Sequence, residues 1–121
     1  MKNLFGLLVI IVLFFGCSNY ENKEELKKEV LQTEKDFALM TKEKGITEAF
    51  YFFADENAVI KRGNDSLIFG KENIKDYYQK KNYKNTVVTW SPDFIEVSNY
   101  GDLAYTYGKF TWKVKTEKGD T

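Results

Sequence analysis

Histidine is absent from this chain of 121 residues, and cysteine, proline and arginine each occur once. Without histidine there is no imidazole for general acid–base catalysis, for a Ser-His-Asp triad or for a histidine-containing zinc site. The single cysteine, Cys17, has no second thiol in the chain with which to form a disulfide. Because Arg62 is the only arginine among 18 basic residues, a cluster of arginines for phosphate or carboxylate recognition is also excluded.

Charge and aromatic content further restrict the class of protein to which this chain can belong. The chain has 18 basic and 18 acidic residues and a net charge of zero, so it lacks the excess of positive charge typical of nucleic-acid binding proteins. We therefore expect no nucleic-acid partner, and no motif predicts a cofactor or a metal. Aromatic residues make up 17% of the chain. Since aromatic side chains bury large areas, a small domain of this kind can close a core without disulfides.

The N-terminus carries an apolar segment between Lys2 and the single cysteine. Residues 4–15 form an apolar run of 12 residues, and Gly16 and Cys17 follow it. This length fits the core of a signal peptide and is well below the roughly 20 residues that span a bilayer. The end of the run resembles the lipobox of bacterial lipoproteins. An ordinary secretory leader and an uncleaved anchor are the alternatives.

The lipobox resemblance implies a division of the chain into three parts. Residues 1–16 would be a lipoprotein signal peptide, residues 17–23 a short tether that begins at a lipidated Cys17, and residues 24–121 the folded domain. Each buried methylene group of an acyl chain contributes about 0.8 kcal/mol, so two or three chains hold a protein firmly at a membrane. We therefore expect a lipid-anchored protein of the bacterial cell envelope, at the outer membrane or the periplasmic face.

Hydrophobic spacing predicts helices in the first part of the domain and long strands in the second. Apolar residues recur at helical steps over residues 24–44, and Gly45 is a typical helix stop. Pro92 and Asp93 interrupt an otherwise regular strand, which predicts a β-bulge or an edge. The other predicted elements are a short helix at 48–53 capped by Thr47, a hairpin of strands 58–61 and 67–69, a helix after Gly70, and strands at 86–98 and 103–116.

Three segments carry a resemblance to a known family: EAFYFFADENAVI at residues 48–60, FGKENIKDYY at 69–78 and SNYGDLAYTYGKFTW at 98–112. Together they resemble the nuclear transport factor 2-like superfamily, in its SnoaL-like branch related to ketosteroid isomerases. The resemblance implies an α+β fold, with a cone-like curved antiparallel sheet wrapped around a long N-terminal helix. Relatives continue with one or two further strands, so we expect a domain that is short at its C-terminus.

Alternation along the last long strand indicates where a pocket would lie. Ala104, Thr106 and Gly108 form a stripe of small residues on one face, and the stripe continues into Phe110 and Trp112. Such a stripe either leaves room for a ligand or lets the first helix pack closely. The residues predicted to line a pocket are Phe37, Phe53, Tyr78, Trp90, Thr106, Phe110 and Trp112.

Three functions are compatible with these patterns. The leading hypothesis is a non-catalytic module that holds a small apolar or amphipathic molecule between helix and sheet. The second is an enzyme of isomerase or cyclase type, in which the resemblance implies a pocket aspartate as base and tyrosine hydroxyls as donors. The third is a protein-interaction module that forms a homodimer through an exposed face bearing Tyr105 and Tyr107. No catalytic residue is assigned, since none of the candidate acids aligns with such a base: Asp36, Asp55, Asp76 and Asp102.

Overall fold

The computed structural model describes residues 23–81, 83–116 and 119–120. The predicted signal peptide at 1–16, Cys17 and all but the last residue of the predicted tether lie outside this part of the chain. The elements are α1 (Lys23–Lys44), α2 (Ile46–Phe53), β1 (Val59–Arg62), β2 (Ser66–Phe69), α3 (Lys71–Lys80), β3 (Thr86–Val97), β4 (Ala104–Thr116) and β5 (Gly119–Asp120).

A single residue, Gly45, separates the first two helices. Its φ of 92° lies in the region that favours glycine, so the chain ends α1 and enters α2 without strain. The sequence predicted that Thr47 caps α2, and this is wrong. The helix already begins at Ile46, with Gly45 in the capping position and no side-chain cap. α1 itself begins at Lys23, which the sequence analysis assigned to the tether.

The β1–β2 hairpin and α3 follow the predicted order. β1 and β2 pair antiparallel, and Asn64 and Asp65 occupy the turn with φ of 55° and 59°, a conformation that these two residue types tolerate. Gly70, with φ of 84°, then leads directly into α3. Ile74 of α3 is fully buried.

The long strands β3 and β4 pair antiparallel along their whole length, with one irregularity. Pro92 lies opposite Gly108, and the next pair joins Phe94 to Tyr107, so Asp93 is an extra residue. The predicted β-bulge is therefore confirmed. A bulge tolerates proline, because the ladder is already interrupted there and the missing N–H is not needed. β5 extends the sheet by pairing with residues 115 and 116.

Helices and strands share one core. α1 packs on β3 and on α2, and α2 packs on α3. The buried cluster takes residues from both halves of the chain: Ile46, Ile74, Tyr78 and Val88. The α+β class, with a long N-terminal helix and antiparallel sheets, is confirmed. Over residues 23–81, 83–116 and 119–120, none of the helices combines the length and apolar character that crossing a membrane requires.

Candidate functional site

A cavity of about 450 Å³ lies between the helices and the face of the β3–β4 sheet that is turned towards α1. Phe110 and Trp112 line it and remain 69% and 41% exposed, so the cavity is open along β4. Half of the residues that line it are aromatic, and a few polar groups lie between them. The residues that line it include Glu34, Phe37, Phe50, Arg62, Tyr78, Tyr83, Trp90, Thr106, Lys109, Phe110 and Trp112.

Six of the seven residues predicted to line a pocket lie on this wall: Phe37, Tyr78, Trp90, Thr106, Phe110 and Trp112. The seventh, Phe53, lies elsewhere. Its ring stacks on that of Phe37 at 4.9 Å, and it lines a second hollow beside α1. Phe53 therefore lines this second hollow and not the cavity, whereas Phe37 lines both.

Strand and helix periodicity bring the cavity residues together. Thr106, Phe110 and Trp112 occupy alternate positions of β4, as Val88 and Trp90 do on β3, so their side chains share a face. On α1, Glu34 and Phe37 lie one turn apart and face the same way. The alternation on β4 was visible in the sequence, and the structure shows that it points into the cavity.

Glu34 is the carboxylate of the cavity, and the sequence analysis missed it. Its Oε2 accepts a hydrogen bond of 2.7 Å from the indole Nε1 of Trp90, and its Oε1 accepts one of 2.7 Å from the hydroxyl of Thr106. The half-buried side chain thus joins α1 to both long strands. Its position one turn before Phe37, on the apolar side of α1, was the available signal.

Arg62 is the second polar group that the sequence analysis missed. Its Nε donates to the hydroxyl of Tyr78 at 2.9 Å, its Nη2 donates to the same hydroxyl, and its Nη1 donates to the carbonyl of Lys61 at 2.9 Å. The guanidinium carbon lies 5.6 Å from the ring centroids of Phe50 and Tyr78. Burial raises the pKa of the Tyr78 hydroxyl above its ordinary 10.0, and the Arg62 hydrogen bonds oppose that rise. The hydroxyl is therefore neutral at physiological pH.

The aromatic residues form a continuous series of contacts, which we call the ring chain. The ring of Phe37 lies 4.9 Å from that of Phe50, Phe50 lies 4.4 Å from Tyr78, and Tyr78 lies 5.6 Å from Tyr83. Tyr83 then contacts Trp112 at 5.3 Å. The ring chain connects α1 to β4 around the cavity, so one aromatic surface reaches from helix to sheet.

The candidate aspartates lie away from the cavity. Asp36 accepts a hydrogen bond from Gln32 on the exposed side of α1, and Asp55 accepts one from the backbone of Asn57. Asp102 lies in an exposed turn, and Asp76 is exposed on α3. None of these four aspartates lines the cavity, and Glu34 is the acidic residue that does. Within the described part of the chain, no group of three or more Asp, Glu, Cys or His side chains could hold a metal ion.

The opposite face of the sheet carries a second aromatic group, the outer cluster of Phe94, Tyr105 and Tyr107. The Phe94 ring stacks on Tyr107 at 5.1 Å and lies 5.8 Å from Tyr105. All three are exposed, by 37%, 54% and 61% for Phe94, Tyr105 and Tyr107. The two tyrosines are those that the sequence analysis placed on an exposed face.

Comparison with protein-family models finds no match, and no curated protein matches the sequence. Among solved structures, the chain is similar to a ketosteroid isomerase-like protein from Erwinia carotovora atroseptica. The TM-score is 0.44 and the identity 12%, over 79% of this chain and 88% of that chain. A likeness this distant carries no information about what the cavity of the present protein holds.

Proposed function

We propose that this protein binds a small apolar or amphipathic molecule in the cavity between α1 and the β3–β4 sheet. The observation that supports this most directly is the ring chain around a space of about 450 Å³. Ligand pockets in proteins have volumes of about 300–1,000 Å³ and combine an apolar wall with a few polar groups that orient the ligand. Glu34, Arg62 and Thr106 are such groups here.

The hydrogen bonds of Glu34 explain its position without a catalytic role. A general base must reach the proton that it removes. Each oxygen of Glu34 already accepts a short hydrogen bond from a neighbouring strand, and these bonds account for its position. The isomerase or cyclase alternative would use a lone pair that these bonds leave on either oxygen, and conversion of a bound probe would be the evidence for it.

Two further parts of the proposal concern ancestry and location. We place the domain in the nuclear transport factor 2-like superfamily, which the order helix, helix, hairpin, helix and long strands supports. We also propose that lipid on Cys17 holds the domain at the bacterial envelope. Labelling with a palmitate analogue tests the second point: the wild-type chain should take up label, and Cys17→Ser should not.

Tryptophan emission provides a direct test of binding. The chain contains two tryptophans, Trp90 and Trp112, and both line the cavity. The full chain in phospholipid nanodiscs would be titrated with testosterone, anthraquinone and dodecanoate. Binding of one probe should change the emission and raise the Tm, because a ligand that binds the native state stabilises it.

A matched pair of variants identifies the binding surface. Phe110→Ala removes a ring from the cavity wall, whereas Phe69→Ala removes a similarly exposed ring from β2, outside that wall. We expect weaker binding in the first variant and unchanged binding in the second. If no probe changes either the emission or the Tm, the proposed function is wrong. Conversion of a bound probe would favour the enzyme.

The outer cluster favours one other function, self-association. Stacked exposed rings on one face of a small domain are typical of an interaction surface. Sedimentation at several concentrations would test this, with Tyr105→Ser as the variant and Tyr100→Ser, an 89% exposed tyrosine outside the cluster, as its control. A dimer that only Tyr105→Ser weakens would support the interaction module.

A further inference from the structure

The guanidinium of Arg62 is a cation without a carboxylate partner. Across the described residues, the ion pairs all join a lysine to a carboxylate, and Arg62 takes part in none. Its partners are neutral, the hydroxyl of Tyr78 and the carbonyl of Lys61. A half-buried charge beside apolar rings is costly unless something compensates it, so an anion brought to this position would be bound favourably.

The hydrogen-bond donors at this position are only partly used. An arginine side chain has five N–H donors. Arg62 uses one from Nε, one from Nη1 and one from Nη2, which leaves one N–H on each terminal nitrogen. The hydroxyl of Tyr78 accepts from Arg62, and its own hydrogen has no acceptor in the part of the chain that the structure covers. Tyr78 is only 2% exposed, so this hydroxyl is shielded from bulk water.

We propose that the ligand of the cavity carries one carboxylate, which Arg62 and Tyr78 bind, and an apolar body that lies against the ring chain. This inference rests on the proposed function. Two N–H groups on neighbouring nitrogens match the two oxygens of a carboxylate. The ring chain runs through Tyr78 itself, so an aromatic or other flat body would contact the wall directly beyond the charged end.

Glu34 limits the ligand to a single negative charge. It lines the same cavity and has no cationic partner among the residues described, since Trp90 and Thr106 are neutral donors. A second carboxylate, or a phosphate dianion, placed near α1 would meet this charge in a partly buried space and be repelled. Lys109, the other cation that lines the cavity, lies on β4. The inferred class is therefore an apolar monocarboxylate.

Naphthoate and naphthamide test the inference, because they share a ring system and differ in charge. The full chain in nanodiscs would be titrated with each, by calorimetry and by tryptophan emission. Since hydrogen bonds to charged groups are stronger than neutral ones, we expect naphthoate to bind about tenfold to a hundredfold more tightly than naphthamide. Arg62→Met should remove that preference, so that naphthoate and naphthamide bind the variant about equally.

Lys61→Met is the matched control, because Lys61 is the neighbouring cation on β1 and its ammonium pairs with Asp65 at 2.8 Å on the exposed side. It should keep the preference. Tyr78→Phe, which removes the hydroxyl alone, should reduce the preference several-fold. Glu34→Gln should strengthen naphthoate binding, since it removes the repelling charge.

The outcomes separate this inference from the proposed function. Equal affinity of wild-type protein for the two probes would overturn the carboxylate assignment and leave ligand binding intact. Binding of neither probe would overturn the carboxylate assignment, and the titrations with testosterone, anthraquinone and dodecanoate would then decide the proposed function. The wild-type comparison needs no variant, so a failure of Arg62→Met to fold does not affect the decision.

Discussion

Among single residues, Glu34 connects distant parts of the chain, since its two partners lie 56 and 72 positions later. Each partner belongs to a different strand, so one carboxylate fixes both strands against α1. Removal of that carboxylate leaves an indole N–H and a hydroxyl without an acceptor, both partly buried. The contribution of Glu34 to the free energy of unfolding should therefore be large for a charged residue.

Glu34→Ala is predicted to lower the free energy of unfolding by about 2–4 kcal/mol, because two hydrogen bonds to a charged group are lost. Urea denaturation followed by circular dichroism measures this. Glu43→Ala, an exposed change on the same helix, should alter stability by less than about 0.5 kcal/mol. Equal effects of the two substitutions would contradict the bridging role of Glu34.

The residue scale is also where prediction from sequence was weakest. Thr106, Phe110 and Trp112 were found because strand alternation is local and fixes which side chains share a face. Glu34 and Arg62 were missed because their value depends on partners from distant elements. From sequence alone, a charged residue on a helix or at a strand end is expected to be exposed to solvent, and only the fold shows which residues contact it.

At the scale of elements, the β-bulge is defined by two residues that each lack something. Pro92 lacks an N–H, and Gly108 lacks a side chain. A Cβ at Gly108 would lie 2.6 Å from the carbonyl oxygen of Ser91 and 2.9 Å from the backbone nitrogen of Asp93. Backbone atoms on the facing strand cannot move aside as a flexible side chain could.

Gly108→Ala is accordingly predicted to cost about 1–3 kcal/mol, as overpacking does elsewhere, and to shift the pairing near Pro92. Gly63→Ala is the control, since a Cβ there meets nothing within 4 Å. Its effect should stay within about 0.5 kcal/mol. Thermal unfolding gives the stabilities, and amide exchange in β3 reports the pairing. A neutral Gly108→Ala would show that the bulge is more pliable than its contacts indicate.

The start of α1 is held to β3 by Glu96, which pairs with Lys23 and with Lys27, the latter at 3.2 Å. Hydrogen bonds from Lys23 and then Lys27 lower the pKa of Glu96 below its ordinary 4.5. The unfolded chain lacks these bonds. The pairs therefore stabilise the native state above about pH 4.5, and this stabilisation is lost as the pH falls through the lower pKa of the folded state.

Glu96→Gln is predicted to lower the Tm slightly at neutral pH and to flatten its fall below about pH 4.5. Because these groups are near the surface, about 1 M salt should erase most of the difference. A pH series of melting curves checks this, with Glu43→Gln as the control. If the Tm of the variant falls below about pH 4.5 as steeply as that of the wild type, Glu96 does not contribute to the loss of stability in acid.

Most elements were predictable because their signals are local. The ends of α1, β1, β2, β3 and β4 fall within one residue of the predicted ends where the structure describes them. The start of α2 was placed two residues late, because a threonine followed by a hydrophobic run is a common helix start. Gly45, with its positive φ, allowed the helix to begin sooner.

For the molecule as a whole, the burial of Ile74 shows that the hairpin with α3 and the long strands with α1 are packed together. Ile74 is 0% exposed and belongs to the cluster that also contains Ile46 of α2 and Val88 of β3. The hairpin with α3 and the long strands with α1 therefore share one core, although their strands form separate sheets. Unfolding should be a single transition.

Ile74→Ala is predicted to destabilise the whole domain by about 2–5 kcal/mol. Both tryptophans lie on the long strands, whereas circular dichroism reports largely on the helices. In the Ile74→Ala variant, the unfolding curves from tryptophan emission and from circular dichroism should shift together to a lower denaturant concentration. If only the circular dichroism curve shifts, α3 unfolds by itself and the molecule is not one cooperative unit.

The ring chain has a consequence for how the molecule moves. Rings that lie 4.4 Å to 5.6 Å apart are in contact, so each of them hinders the rotation of its neighbours. Rotation of Phe50 or Tyr78 must wait until its neighbours separate, so we expect their ring flips to be slow and correlated. A guest that enters along the open side at β4 would fill the free space beside these rings, so its binding should slow their flips further.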